Sequence, residues 1–137
     1  MRRAPLASIV LALTLAGCLA LALAGCGKTK SGSTGAVTLK PRQPLALDAH
    51  EYGFKPGTVT IASGGESALV RFDLHNGGTL PHDVHVRQGS RELGGTPAIG
   101  EGKSASATVT LAPGDYEFYC SIGDHATLGM KGKLTIQ

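Results

Sequence analysis

The stretch Val109-Thr110-Leu111-Ala112-Pro113-Gly114-Asp115-Tyr116-Glu117-Phe118-Tyr119-Cys120 contains two alternating runs separated by a turn. Val109 and Leu111 share one face of the first run. After the breaker Ala112-Pro113-Gly114, Tyr116, Phe118 and Cys120 share one face of the second, with Glu117 and Tyr119 on the other. Alternation with period two is the mark of half-buried β-strands, because successive side chains of an extended chain point to opposite sides. Cys120 therefore ends its strand pointing inward.

The same grammar extends in both directions. Candidate strands run over Val37 to Leu39, Leu45 to Phe54 with a break, Thr58 to Ala62, Ala68 to His75, Asp83 to Arg87, Ala105 to Leu111, Tyr116 to Cys120 and Lys131 to Ile136. Breakers stand between them at Lys55-Pro56-Gly57, Asn76-Gly77-Gly78 and Gly94-Gly95. No amphipathic helical pattern emerges. About eight short strands in about a hundred residues read as an all-β Greek-key β-sandwich.

The first quarter of the 137-residue chain is different. Arg2 and Arg3 precede an apolar run from about Leu6 to Ala24, which is the layout of an export signal and is also long enough for a membrane anchor. The tetrad Leu-Ala-Gly-Cys ends at both Cys18 and Cys26 and resembles the lipobox of bacterial lipoproteins. Cys26 is the preferred acylated residue, because Lys28 and other polar residues follow it whereas apolar residues follow Cys18. The expected organisation is a signal at 1–25, a lipidated Cys26 and flexible linker at 26–35, and a folded domain at 36–137. Such a chain is extracytoplasmic and membrane-anchored through its lipid.

Three Cys occur, and only Cys120 falls in the folded part, so that part closes no internal disulfide. The net charge of +3 shrinks to about neutral once Arg2 and Arg3 are set aside, which gives no support for nucleic-acid binding. A monomer is expected.

Cys120, His125 and Met130 follow one another at intervals of five, from a strand end through one loop. Thiolate, imidazole and thioether together suit a copper ion that cycles between Cu(I) and Cu(II), and this donor set calls for a second His. Strand parity selects His82, which shares its face with Val84 and Val86, while His85 falls opposite with Asp83. His50, His75 and His85 are read as surface or structural residues.

The runs Asn76-Gly77-Gly78-Thr79-Leu80-Pro81-His82-Asp83 and Leu111 to Cys120, followed by His125 and Gly129-Met130-Lys131-Gly132, resemble the cupredoxins, the plastocyanin and azurin group. Tyr52-Gly53-Phe54-Lys55-Pro56 is similar to a Phe-x-Pro stretch near the start of such domains. The resemblance implies one type 1 (blue) copper ion with His82, Cys120 and His125 as strong ligands and Met130 as a weak axial one. It also implies that Asp83, where many relatives carry Asn, ties the ligand loops together. Asp124 stands where many relatives have Pro, and a carboxylate there is expected to favour Cu(II). The function implied is single-electron transfer, with redox proteins docking transiently near His125 beside Ala126, Leu128 and Pro81.

Two rival functions follow from the same donors. A copper oxidase would need His-x-His pairs, and the sequence has none. A copper storage or delivery protein is the alternative, although its usual Met and His donors are poorly supplied here.

Overall fold

The structure, a computed structural model, describes residues 32–137. The segment expected to be an export signal, Cys18, Cys26 and the first part of the expected linker lie outside the described residues. Ser33 and Thr34, assigned to the linker from the sequence, are hydrogen-bonded to the domain. Phe54 N donates to Ser33 Oγ at 3.0 Å, and Thr34 N donates to Phe54 O at 2.9 Å.

The described residues form ten strands and no helix: β1 (Ala36–Leu39), β2 (Leu45–His50), β3 (Gly53–Lys55), β4 (Thr58–Ile61), β5 (Ala68–Asn76), β6 (His85–Gln88), β7 (Arg91–Gly95), β8 (Ser104–Leu111), β9 (Gly114–Tyr119) and β10 (Lys131–Ile136). One sheet has the order β1-β4-β10-β9-β6-β7 and the other β3-β2-β5-β8. The architecture is the expected Greek-key β-sandwich. Three of its pairings, β1 with β4, β4 with β10 and β2 with β5, are parallel. Half-buried alternation does not report strand direction, so the mixed character was hidden in the sequence.

The break expected within Leu45 to Phe54 falls at the Glu51-Tyr52 turn, which separates β2 from β3. β7 was not among the expected strands. Gly94 and Gly95, read as breakers, lie inside β7. A Cβ on Gly95 would come within 2.6 Å of His85 Cγ and of Val84 O, so glycine serves close approach in a strand here.

Alternation does place the core. Leu45, Leu47 and Ala49 of β2, Val70, Phe72 and Leu74 of β5, Tyr116 and Phe118 of β9, and Leu134 and Ile136 of β10 are all buried between the sheets. Phe54 and Phe118 meet edge to face across the sandwich with centroids 5.5 Å apart. Tyr116 reaches back over the preceding turn and donates to Ala112 O at 2.7 Å, fixing the hairpin-like entry to β9.

Candidate metal centre

β9 delivers Cys120 at its end, 1% exposed, and Cys120 N donates to Met130 O at 3.1 Å. The chain then makes a series of turns. His125 N donates to Ile122 O at 3.1 Å, Leu128 N to Asp124 O at 3.0 Å, and Met130 N to His125 O at 2.9 Å. Gly123 and Gly129 take positive φ of 49° and 115°, which lets the loop fold back on itself before β10. The loop thus brings the ring of His125 over the end of β9, with Nδ1 3.5 Å from Cys120 Sγ.

His82 arrives from the other side. It precedes β6 and is held by a two-way bridge, His82 N to Ile99 O at 3.0 Å and Ile99 N to His82 O at 2.8 Å. Its ring lies 5.2 Å from that of His125, centroid to centroid. Donor atoms of His82, Cys120 and His125 all lie within 4.8 Å of one another, and all three residues are buried. Among the described residues this is the only such group of His, Cys, Asp or Glu.

Neither ring nitrogen of His82 has a hydrogen-bond partner, although the residue is fully buried. Unpaired buried polar atoms are costly and rare, so an unpartnered imidazole facing a thiol and a second imidazole fits a metal ion. Burial, followed by the charge of His125, holds the His82 ring below its ordinary pKa and so keeps it neutral, the form that can ligate. Burial pushes the Cys120 thiol up, opposed by the backbone N–H groups of Asp83 and Ile122. Without a cation beside it, the sulfur is a proton-holding thiol. A soft cation would take the proton's place.

Met130 is fully buried and tied by backbone bonds to both Cys120 and His125. Asp83 accepts from Ser121 N at 2.6 Å and from Ser121 Oγ at 2.5 Å, directly joining the loop of His82 to that of Cys120. Parity puts Asp83 on the face opposite His82, yet it is only 3% exposed, because Ser121 and His85 close over it. His85 sits between Asp83 and Glu92 at 3.5 and 3.1 Å, and His75 lies 3.2 Å from Asp48 on the outer face of the second sheet. Asp124 is exposed, so any influence of its charge on the site is screened by water.

Replacing Asp83 with alanine removes two charge-assisted bonds and is expected to lower the unfolding free energy by about 2 kcal/mol. Urea titration of the metal-free protein measures this, and Asp83→Asn, which keeps an acceptor for Ser121 N, should recover part of the loss.

Two supports of the His82 loop were not visible in the sequence. Asn76, which opens both a breaker and the run that carries the resemblance but was given no role of its own, is fully buried. Its Nδ2 donates to Leu80 O at 2.8 Å and to Ile99 O at 2.9 Å, while its Oδ1 accepts from Gly78 N at 2.9 Å. Glu51 accepts from Thr79 N at 2.5 Å, Thr79 Oγ1 at 3.0 Å and Leu80 N at 3.0 Å. A buried Asn closing a Gly-Gly turn is a signal that the breaker could have given. The Glu51 contact, 28 residues away in sequence, had no such local signal.

The N–H groups of Leu80 and Thr79 hold the Glu51 carboxyl down at about 2 from an ordinary 4.5. A lowered folded-state pKa means stability that is fully present above about 4.5 and is lost as pH falls through about 2. Glu51→Gln should therefore flatten part of the acid limb. The expected change is on the order of 1 kcal/mol once solvent screening is allowed for. Urea midpoints at pH 5 and pH 2.5 compare the two forms. Asp73, lowered by Ser106 and then Arg71, and Glu92, lowered by Tyr119, keep some slope in the variant.

Residues 44–137 match the family described as copper binding proteins, plastocyanin/azurin family. The chain belongs to that family, the cupredoxins, and its cofactor is copper. No curated protein matches it in sequence. Among solved structures it is similar to sodium dithionite-reduced auracyanin from the photosynthetic bacterium Roseiflexus castenholzii, at 21% identity and a TM-score of 0.59, covering 71% of this chain and 98% of that one. It is also similar to auracyanin B, at 21% identity and a TM-score of 0.63, covering 77% of this chain and 96% of that one. At that identity the likeness is one of fold.

Proposed function

We propose that this chain is a blue copper electron carrier in which His82, Cys120 and His125 are the strong ligands and Met130 is the weak axial one. The observation that carries the reading is the buried cluster of one thiol and two imidazoles, with both nitrogens of His82 unpartnered. Copper held there supplies a one-electron couple.

The residues do the rest by holding still. Cys120 is fixed by its strand, His82 by the Ile99 bridge and His125 by the turns of its loop, so the donors have little freedom to rearrange between oxidation states. Burial of all three excludes water. Only His125, 8% exposed, approaches the surface. Leu80 and Leu128, at 37% and 44% exposure, and exposed Pro81 lie on the two chain segments that carry His82 and His125. A small apolar patch of this kind suits brief, weak docking of redox proteins rather than a lasting interface.

A lipid on Cys26 would keep the carrier beside membrane-bound donors and acceptors, in the extracytoplasmic space and as a monomer. The reading does not include catalysis, since substrate would have to reach three buried donors.

Voltammetry of the copper-loaded protein, combined with stopped-flow mixing against a soluble redox dye, tests the function. A reversible one-electron wave and electron exchange without metal loss are expected. Transfer of Cu(I) to a metal-free acceptor with no reversible wave would replace this reading with copper delivery.

A further inference from the structure

The turn between β2 and β3 carries an unusual residue. Tyr52 has φ of 61°, in the left-handed region where a bulky side chain is rare and glycine or asparagine is at ease. Gly53 stands next to it, so a sequence free to choose would have an unstrained residue at hand. The strain persists where the surroundings over-determine it, and such residues gather at functional sites.

The Tyr52 ring is where the restraint lies. It meets the ring of His125 at 5.2 Å between centroids and 71° between planes, an edge-to-face contact. Tyr52 also packs, partly buried, against the core. The two residues before it act on the other histidine. Glu51 makes its three bonds to Thr79 and Leu80, just ahead of His82. The ring of His50 lies so close to Gly77 that a Cβ there would come within 2.6 Å of Cε1.

The geometry points to Tyr52 as a positioning residue for His125, carried by a turn, His50-Glu51-Tyr52, that steadies both histidine donors at once. This inference rests on the copper reading of His82 and His125. β2 and β3 belong to one sheet, whereas β9, β6 and β10, which flank the donors, belong to the other. The turn is thus the point where the second sheet reaches across and braces a site built on the first. A neighbour that fixes the orientation of a ligating ring affects metal affinity without touching the metal.

Two variants of the full chain test this. Tyr52→Asn removes the ring but tolerates the left-handed backbone, so folding is preserved. Tyr52→Phe keeps the ring. Competition with a chelator should show Cu(II) bound about tenfold more weakly by Tyr52→Asn, and by Tyr52→Phe within about twofold of the parent. In the metal-free protein, the His125 ring resonances should be sharp in the parent and in Tyr52→Phe, and broadened or shifted toward free-histidine values in Tyr52→Asn. Unchanged affinity and unchanged His125 resonances in Tyr52→Asn would overturn the inference. The metal-free resonances judge Tyr52 even if the parent shows no thiolate-to-copper band, a result that would count against the copper reading instead.

Discussion

Cys120→Ser is expected to fold into the same sandwich and to lose its one-electron couple. The hydroxyl is nearly isosteric, and Cys120 N keeps its bond to Met130 O, so the loop from Ser121 to Gly129 stays in place. What disappears is the soft, charge-donating sulfur, 3.5 Å from His125 Nδ1. His82 and His125 remain and can still hold a divalent ion as two imidazoles, so the variant should bind Cu(II) weakly, as a pale complex. Voltammetry should show no reversible wave at the parent's potential. Retention of the parent's redox behaviour in Cys120→Ser would remove the thiolate from the account.

Gly132→Ala is expected to destabilise the fold strongly for so small a substitution. Gly132 lies in β10, opposite Phe118 of β9. An added Cβ would lie 2.5 Å from Phe118 Cε2, closer still to its Cζ, and 2.7 Å from Gly57 O. Phe118 is fully buried and already packed edge to face on Phe54, so its ring has nowhere to go. Gly57 O is backbone and accepts from Lys133 N at 2.9 Å, so it cannot move without breaking a bond to the same strand. Overpacking of this kind costs roughly 3 kcal/mol, the upper part of its usual range. The urea midpoint of the metal-free protein reads it directly. A midpoint equal to the parent's would show that β9 and β10 pack less tightly than described.

The two substitutions mark which parts of the molecule were open to reading from sequence. Cys120, His125 and Met130 sit in one continuous segment, and chemistry at short spacing is visible without any fold. His82 was reachable because parity along an extended stretch decides which of two nearby histidines points inward. The sandwich followed from alternation, since each strand buries every second residue. Other features rest on contacts between distant segments. Glu51 caps amides of Thr79 and Leu80, Tyr52 meets His125, and the parallel pairing of β4 with β10 joins residues more than seventy positions apart. No local pattern encodes these. Gly94 and Gly95 were misleading for a related reason. Gly95 admits the His85 ring and the Val84 carbonyl, and Gly94, at a φ of 151°, lies against Val109; from sequence alone the pair looks the same as a turn.

Asp83 is an intermediate case. The resemblance assigned it to joining the ligand loops, and its two bonds to Ser121 have that effect. Parity alone would have sent it to the surface. A carboxylate that is buried and still fully engaged next to the site is worth more as a tether than as a charge.

Whether Cys120 binds copper is decided by the visible and electron-spin-resonance spectrum of the protein loaded with one equivalent of Cu(II). An intense blue thiolate-to-copper band with unusually small copper hyperfine splitting is expected, bleached by a mild reductant and restored on reoxidation. A pale complex with ordinary hyperfine splitting would mean that Cys120 does not bind Cu(II), and would contradict the assignment of this cluster as a blue copper centre.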